Sequence, residues 1–141
     1  MNYEALIATL LHSFLHVIVL LVFPIVAVRK WRAGGLRHLA VATVGAFAII
    51  LAAALALASE FFGNRLSSTY GYVHVATQVV TIFMITLGLP VLVVTSLVPA
   101  IPRQGSTIMH YCVALAAGVA AWVAAVFLSV YLMPLVVKTA A

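Results

Sequence analysis

Four apolar stretches dominate this chain, and each is longer than the roughly 20 residues that a helix needs to cross a bilayer. They run over residues 5–28, 36–62, 70–97 and 107–137. Only a few residues separate one stretch from the next, so little of the chain is left for a domain outside a membrane. The pattern predicts an integral membrane protein built from transmembrane helices.

The charge content excludes a soluble globular domain. Charged residues make up 6% of the 141 residues, whereas a soluble domain carries about a quarter because its surface must meet water. The formal net charge of +5 lies mostly beside the apolar stretches, which indicates topology and contact with anionic lipid rather than nucleic-acid binding. The single cysteine, Cys112, excludes an intrachain disulfide and a cysteine-rich metal site.

The connections between the stretches predict an all-α fold. They cover residues 29–36, 63–69 and 98–106, and connections this short make neighbouring helices antiparallel. We therefore expect one transmembrane domain over residues 1–141, a four-helix bundle whose helices run up, down, up and down. We expect the first stretch to remain as a helix rather than be cleaved as a signal peptide, because no basic residue precedes it and a basic cluster follows it.

The distribution of Lys and Arg predicts the orientation. Five basic residues lie in or beside the first and third connections: Arg29, Lys30, Arg32, Arg37 and Arg103. The opposite side holds only Arg65 and Lys138, together with both carboxylates, Glu4 and Glu60. Because basic loops stay in the cytoplasm, both termini are expected on the outer side. The alanine-rich composition and the lack of extramembrane parts favour a bacterial inner membrane.

Small residues recur at helical spacing in two stretches. In lipid, close approach of small residues replaces the hydrophobic effect as a cause of helix association. The fourth stretch carries Ala114, Gly118, Ala121, Ala125 and Ser129, and the second carries Ala42, Gly45, Ala52, Ala56 and Ser59. Both rows are expected to be packing faces, within a compact bundle or against other membrane subunits or further copies of this chain.

Polar residues of the first stretch form the first candidate site. Thr9, His12, Ser13 and His16 lie on one helical face. Two histidines four residues apart can direct both rings to one metal ion, or one ring to a haem. Ionisable groups inside a membrane are functional candidates by default. The alternative is that the neutral imidazoles hydrogen-bond neighbouring helices and only hold the bundle together.

A polar row along the third stretch forms the second candidate site. Its members are Tyr70, His74, Thr77, Gln78, Thr81, Gly88 and Thr95. Gln78 is expected at about the depth of His12, so the first and third helices would turn these faces towards each other. The row would then line a pocket for a cofactor or a quinone. A hydrogen-bonded contact between helices is the alternative.

Two further histidines, His38 and His110, lie just inside the second and fourth stretches near the basic side. They are either interfacial residues or an inner pair that complements an outer pair of His74 with His12 or His16. That layout is similar to bis-histidine b-type cytochromes, in which a bundle holds haem iron between two helices. It departs from the usual pattern in having no helix with two histidines about four turns apart.

These patterns lead to three functional hypotheses. The first is a membrane redox or electron-transfer component that binds haem b or a metal, with His12, His16, His38, His74 and His110 as candidate cofactor ligands and His12, His16 and His74 as candidate metal ligands. The second is a non-catalytic accessory subunit of a larger membrane complex. The third is a small transporter that uses the third helix. No Walker A or dinucleotide-binding glycine motif is present, and whether the protein is an enzyme stays undecided.

Overall fold

The structure, a computed structural model, describes residues 3–62 and 69–139, which are helical apart from short turns and contain no strand. Four helical segments in these ranges are long and apolar enough to cross a membrane: His12–Gly34, Leu36–Ser59, Ala76–Ala100 and Thr107–Leu132. The predictions of an all-helical, multi-pass membrane protein in contact with lipid are confirmed. The connection 63–68, with Arg65, lies outside the described residues, as do the side chains of Glu4, Thr9, Glu60, Tyr70 and Lys138.

The first span is not a continuous α-helix. It consists of α1 (Tyr3–Val17), a π-helical turn (Ile18–Val22) and α2 (Phe23–Gly34). Pro24 explains the interruption, because proline has no N–H to donate to a carbonyl of the preceding turn. The wider π-helical turn absorbs the mismatch, and the Phe23 N–H reaches back five residues to the Ile18 carbonyl.

The turn after α2 is shorter than the sequence indicates. The basic residues predicted to form a connection over 29–36 remain helical to Gly34, and α3 (Leu36–Phe62) begins after a single residue. That residue is Gly35, whose φ of 70° lies in a region that side chains disfavour. The Gly35 N–H donates to the Trp31 carbonyl and closes the last turn of α2.

The third span is broken one turn before Pro90. It is divided into α4 (Thr69–Thr86) and α5 (Gly88–Leu97), which Leu87 joins. Pro90 cannot donate to the Thr86 carbonyl, so the regular ladder stops there. A 3₁₀ turn (Val98–Ala100) ends the span, and α6 (Thr107–Thr139) forms the fourth.

One cluster of buried apolar side chains joins all four spans. Its members include Val19, Phe23, Val28, Leu39, Ile50, Phe83, Leu87, Val91 and Ala114. The row of small residues in α6 faces this cluster, as predicted: Ala114, Gly118, Ala121 and Ala125 are buried. A β-carbon built on Gly118 would lie 3.2 Å from Cγ2 of Val94 and 3.9 Å from Cγ of Pro24. Gly118 therefore allows α6 to approach both proline-interrupted spans.

The corresponding row in the second span does not face this cluster, so packing within the bundle is contradicted for it and packing against another subunit or copy stays a prediction. Gly45, Ala52, Ala56 and Ser59 are exposed, and Ala42 is half-buried. The buried face of α3 is formed instead by Leu39, Ile50, Ala54 and Ala58. The spacing misleads because alanines occur on every side of this helix, and in lipid an outward face is as apolar as an inward one. α3 thus presents an exposed row of small residues to the bilayer or to another protein.

Candidate functional site

His12 and His16 lie one helical turn apart on α1, and their rings are in contact. The ring centroids are 4.2 Å apart, with 57° between the ring planes. Both residues are half-buried, whereas Ser13, predicted to share their face, is exposed. The structure therefore brings together two of the three histidines expected to bind a metal.

A hydrogen bond within α1 determines which nitrogen of His16 is available. Nδ1 of His16 lies 2.8 Å from the His12 carbonyl oxygen. A carbonyl only accepts, so Nδ1 carries the proton and donates. In the neutral ring, Nε2 is then the basic nitrogen with a free lone pair, which is the state that a metal-binding imidazole requires.

Two aromatic rings from other spans enclose the histidine pair. The Phe83 ring, from α4, packs edge-on against His12 with centroids 5.0 Å apart and lies 6.5 Å from His16. The Trp122 ring, from α6, lies 5.9 Å from His16 at 80°. Trp122 Nε1 is buried without a hydrogen-bond partner among the described residues. The pair thus sits between three spans in largely apolar surroundings.

The chain directly after His16 has an irregular backbone. The π-helical turn Ile18–Val22 begins two residues later, and its Val19 is part of the buried cluster. π-helical turns inside membrane helices and soluble helices are rare and often occur next to functional sites. Here the turn lies between the histidine pair and Pro24, so the pair belongs to the helical segment on the far side of the interruption from the basic residues.

His74 has a different environment. Its Nε2 lies 3.1 Å from the Gln78 amide nitrogen, one turn further along α4. The amide N–H donates to the ring, which therefore accepts at Nε2. His74 precedes Phe83 by nine residues, which is about 14 Å along a helix. In the described part of the chain, no group of three or more His, Cys, Asp or Glu residues could hold a metal.

The polar row of the third span contacts α3 rather than α1 at its far end. Thr95 and Thr43 share a hydrogen bond of 2.8 Å between their hydroxyl oxygens. Thr43 already donates to the Leu39 carbonyl, so Thr95 is the donor to Thr43. A β-carbon on Gly88 would lie 2.9 Å from Cε1 of Phe47, also on α3. For Thr95 and Gly88, the prediction that the polar row faces the first span is wrong. Both residues belong to α5, which the break at Leu87 separates from α4, and both contact α3.

The hydroxyls in the first part of that row are satisfied locally. Thr77 donates to the Val73 carbonyl and Thr81 to the Thr77 carbonyl. Such bonds to the preceding turn remove the need for a partner on another helix. A shallow apolar groove of about 290 Å³ runs beside Thr77 and Thr81, and its lining includes no histidine.

The two histidines near the basic end have separate neighbours. His38 is exposed, and its ring lies over Gly34, so that a β-carbon on Gly34 would overlap it. His110 is fully buried, and Nδ1 lies 3.0 Å from Nη2 of Arg32 and 3.0 Å from the Ser106 carbonyl. Arginine only donates and a carbonyl only accepts, so Nδ1 accepts from Arg32 in the tautomer with the proton on Nε2 and donates to Ser106 in the other tautomer.

Sequence reasoning did not identify the partners that define these sites. Phe83 is an apolar residue in an apolar span and gives no signal of a contact with histidine. Trp122 is the only tryptophan in the middle of a span, and its indole N–H, which needs a partner when buried, could have suggested a polar neighbour. No protein-family model, curated protein or solved structure matches the chain.

Proposed function

We propose that this protein is a membrane redox component that binds a transition-metal ion through His12 and His16. The observation that carries the proposal is the hydrogen bond of His16 to the His12 carbonyl, which leaves Nε2 unprotonated next to a second imidazole. Histidines four residues apart on a helix present both rings to one side. An intramembrane pair of this kind is costly to keep unless it is used or hydrogen-bonded.

The chemistry of the surroundings favours copper in the +1 state. Imidazole nitrogens suit copper, zinc, iron and nickel. No carboxylate joins the pair in the described part of the chain, so two neutral ligands would leave the full charge of the ion in an apolar site. Because the cost of burying an ion rises steeply with its charge, a monovalent ion is favoured over a divalent one. Copper also exchanges one electron between its +1 and +2 states, which is the chemistry that a redox component needs.

Haem b, the other cofactor expected from the sequence, matches this geometry less well. Two axial imidazoles must approach the iron from opposite sides, hence from different helices. His12 packs against Phe83 and His16 against Trp122, while His74 accepts a hydrogen bond from Gln78. A haem between α1 and α4 would have to displace the Phe83 ring and separate His74 from Gln78.

The proposed orientation places this site in the outer half of a bacterial inner membrane. Arg32 and Arg103 make contacts between the first and third connections, which supports the assignment of both connections to one side. With five basic residues on that side, the positive-inside rule makes it cytoplasmic. An up-down-up-down arrangement then puts both termini outside, and His12 and His16 in the half of the span nearer to the outer surface.

A second candidate function follows from the exposed row of α3. Gly45, Ala48, Ala52 and Ala56 are exposed at three- and four-residue spacing, which is the arrangement that lets membrane helices approach closely. This observation favours an accessory subunit that packs against other membrane subunits or a second copy of this chain. The two functions are compatible, since the histidine pair and the row belong to different spans.

The visible spectrum and the metal content of the purified protein together separate the two cofactors. We expect protein from haem-replete, copper-supplemented cells to lack a Soret band and to contain copper by elemental analysis. His74→Ala should retain the copper, because His74 does not join the pair. A Soret band that His74→Ala abolishes would support haem instead. Protein with neither haem nor metal would overturn the proposal and leave the accessory subunit as the better account.

A further inference from the structure

The two connections on the basic side each extend an arginine towards the other. From the first, Nη2 of Arg32 donates to the Gly105 carbonyl at 3.0 Å and lies 3.0 Å from Nδ1 of His110. From the third, the Arg103 guanidinium lies over the Trp31 ring, with its central carbon 4.8 Å from the ring centroid. We use the term arginine clasp for the group made up of Arg32, Arg103, Trp31, His110 and Gly105. It fixes the two connections to each other at one end of the bundle.

No acidic residue lies beside the members of the arginine clasp along the chain. The sequence has only two carboxylates, Glu4 and Glu60, and neither lies near residues 29–38 or 98–110 along the chain. Arg29, Lys30 and Arg37 are exposed at the same end and add further positive charge. The positive potential of these groups favours an anion from outside the chain at this end of the bundle.

Arg32 and Arg103 differ in which of their N–H groups remain free to bind an anion. Arg32 uses Nη2 for bonds that hold the segment containing Gly105. Arg103 is exposed, and its side chain makes no hydrogen bond within the described residues. A guanidinium stacked on an aromatic ring uses its face, so its N–H edge stays free. That edge matches two oxygens of a phosphate in a bidentate arrangement.

The Arg103 guanidinium stacks on the Trp31 ring, which lies near the end of the first span. The ring is half-buried, and Nε1 points into the protein without a partner among the described side chains. Nη2 of Arg103 also lies 3.9 Å from where a β-carbon of Gly35 would be, which is an ordinary van der Waals distance. Trp31 comes three residues before the end of the first span, at Gly34. Tryptophan at a span end occupies the headgroup level of a bilayer, which is where lipid phosphates lie.

We propose that the arginine clasp is a binding site for the phosphate of an anionic phospholipid, with Arg103 as the residue that contacts the phosphate. Arg32 is a positioning residue, because it holds the segment that carries Arg103. The Trp31 ring stacks against the Arg103 guanidinium and orients it. This site is independent of the histidine pair, and neither proposal depends on the other.

Native mass spectrometry of the delipidated protein in detergent tests the site. The probes are phosphatidylglycerol, phosphatidylcholine and inorganic phosphate. We expect the protein to bind phosphatidylglycerol in preference to phosphatidylcholine. Arg103→Gln should weaken phosphatidylglycerol binding about tenfold, the effect of losing one bidentate charge-assisted contact. Arg103→Lys keeps the charge but loses the planar fork, and should also weaken binding.

Arg37→Gln is the matched control, since it removes an exposed arginine from the same end but not from the arginine clasp. Its effect should stay within about twofold, as for an isolated surface charge. Equal losses in Arg37→Gln and Arg103→Gln would mean that diffuse charge attracts the lipid, and would overturn the site. Inorganic phosphate that binds alone and displaces the lipid would overturn the lipid as its occupant. Unchanged lipid binding in Arg103→Gln would overturn Arg103 as the phosphate contact. Its role would then be only that of a cation near the C-terminal end of α2.

Discussion

His16 donates a hydrogen bond from Nδ1 to the main-chain carbonyl of His12 across 2.8 Å, and the two rings lie 4.2 Å apart. Two consequences follow from this relationship. The bond fixes the tautomer of His16, so Nε2 is available as an acceptor or a metal ligand. It also gives Nδ1 of His16 a partner inside α1, so a partner for Nε2 of His16 has to come from outside that helix.

The close approach of α6 to its neighbours gives the first prediction. Gly118→Leu should lower the free energy of unfolding by about 1–3 kcal/mol, the usual cost of overpacking, because the added side chain meets Val94. Val119→Leu is the control, since Val119 is exposed. Unfolding by SDS in mixed micelles measures both variants. Equal stability of the two would mean that Gly118 does not face the bundle.

The second prediction concerns which face of α3 is buried. Ala54→Leu should destabilise the protein, because Ala54 is fully buried. Ala52→Leu should leave the unfolding free energy of the single chain within about 0.5 kcal/mol, as expected for an exposed position. If the exposed row of α3 is a docking face, Ala52→Leu should instead reduce co-purification of partner subunits or of a tagged second copy. A destabilised Ala52→Leu chain with a stable Ala54→Leu chain would reverse the assignment of faces.

The hydrogen bond between Thr43 and Thr95 gives the third prediction. Thr43→Val, Thr95→Val and the double variant form a double-mutant cycle. We expect a coupling of about 0.6 kcal/mol, typical of hydrogen bonds between membrane helices. Thr81→Val paired with Thr43→Val is the control cycle, because Thr81 bonds only to its own helix. A coupling of zero between Thr43 and Thr95 would show that α3 and α5 do not meet through these hydroxyls.

The orientation gives the fourth prediction. A reporter fused after Lys138 should be active in the periplasm, and one inserted at Gly35 should be active in the cytoplasm. The reason is the excess of basic residues in and beside the first and third connections. A cytoplasmic C-terminus would contradict either the proposed orientation or the number of membrane crossings.

The sequence was sufficient for the number and the approximate position of the spans. Length and hydropathy located four crossing helices, and Pro24 and Pro90 lie at the two interruptions that the structure shows. Both results depend on local physics, namely the thickness of a bilayer and the missing N–H of proline. Gly118 was also assigned correctly to the packed face of α6.

The contacts between spans could not be predicted in the same way. Which face of α3 is buried depends on the shapes of the facing helices, and lipid gives no polar face to mark the outside. The enclosure of His12 by Phe83 likewise depends on how α1 and α4 are offset along their axes, which spacing within one helix does not determine. Arg32 and His110 are 78 residues apart, so only the folded bundle brings them together.

Copper(I) titration of the purified protein tests the central claim most directly. We expect about one copper ion to bind per chain, with His12→Ala and His16→Ala each abolishing the binding, since neither single imidazole holds an ion in this site. His38→Ala is the control and should bind as the unchanged protein does, because His38 is exposed at the other end of the bundle. Binding that persists in both His12→Ala and His16→Ala, or that is absent from the unchanged protein, would contradict the account.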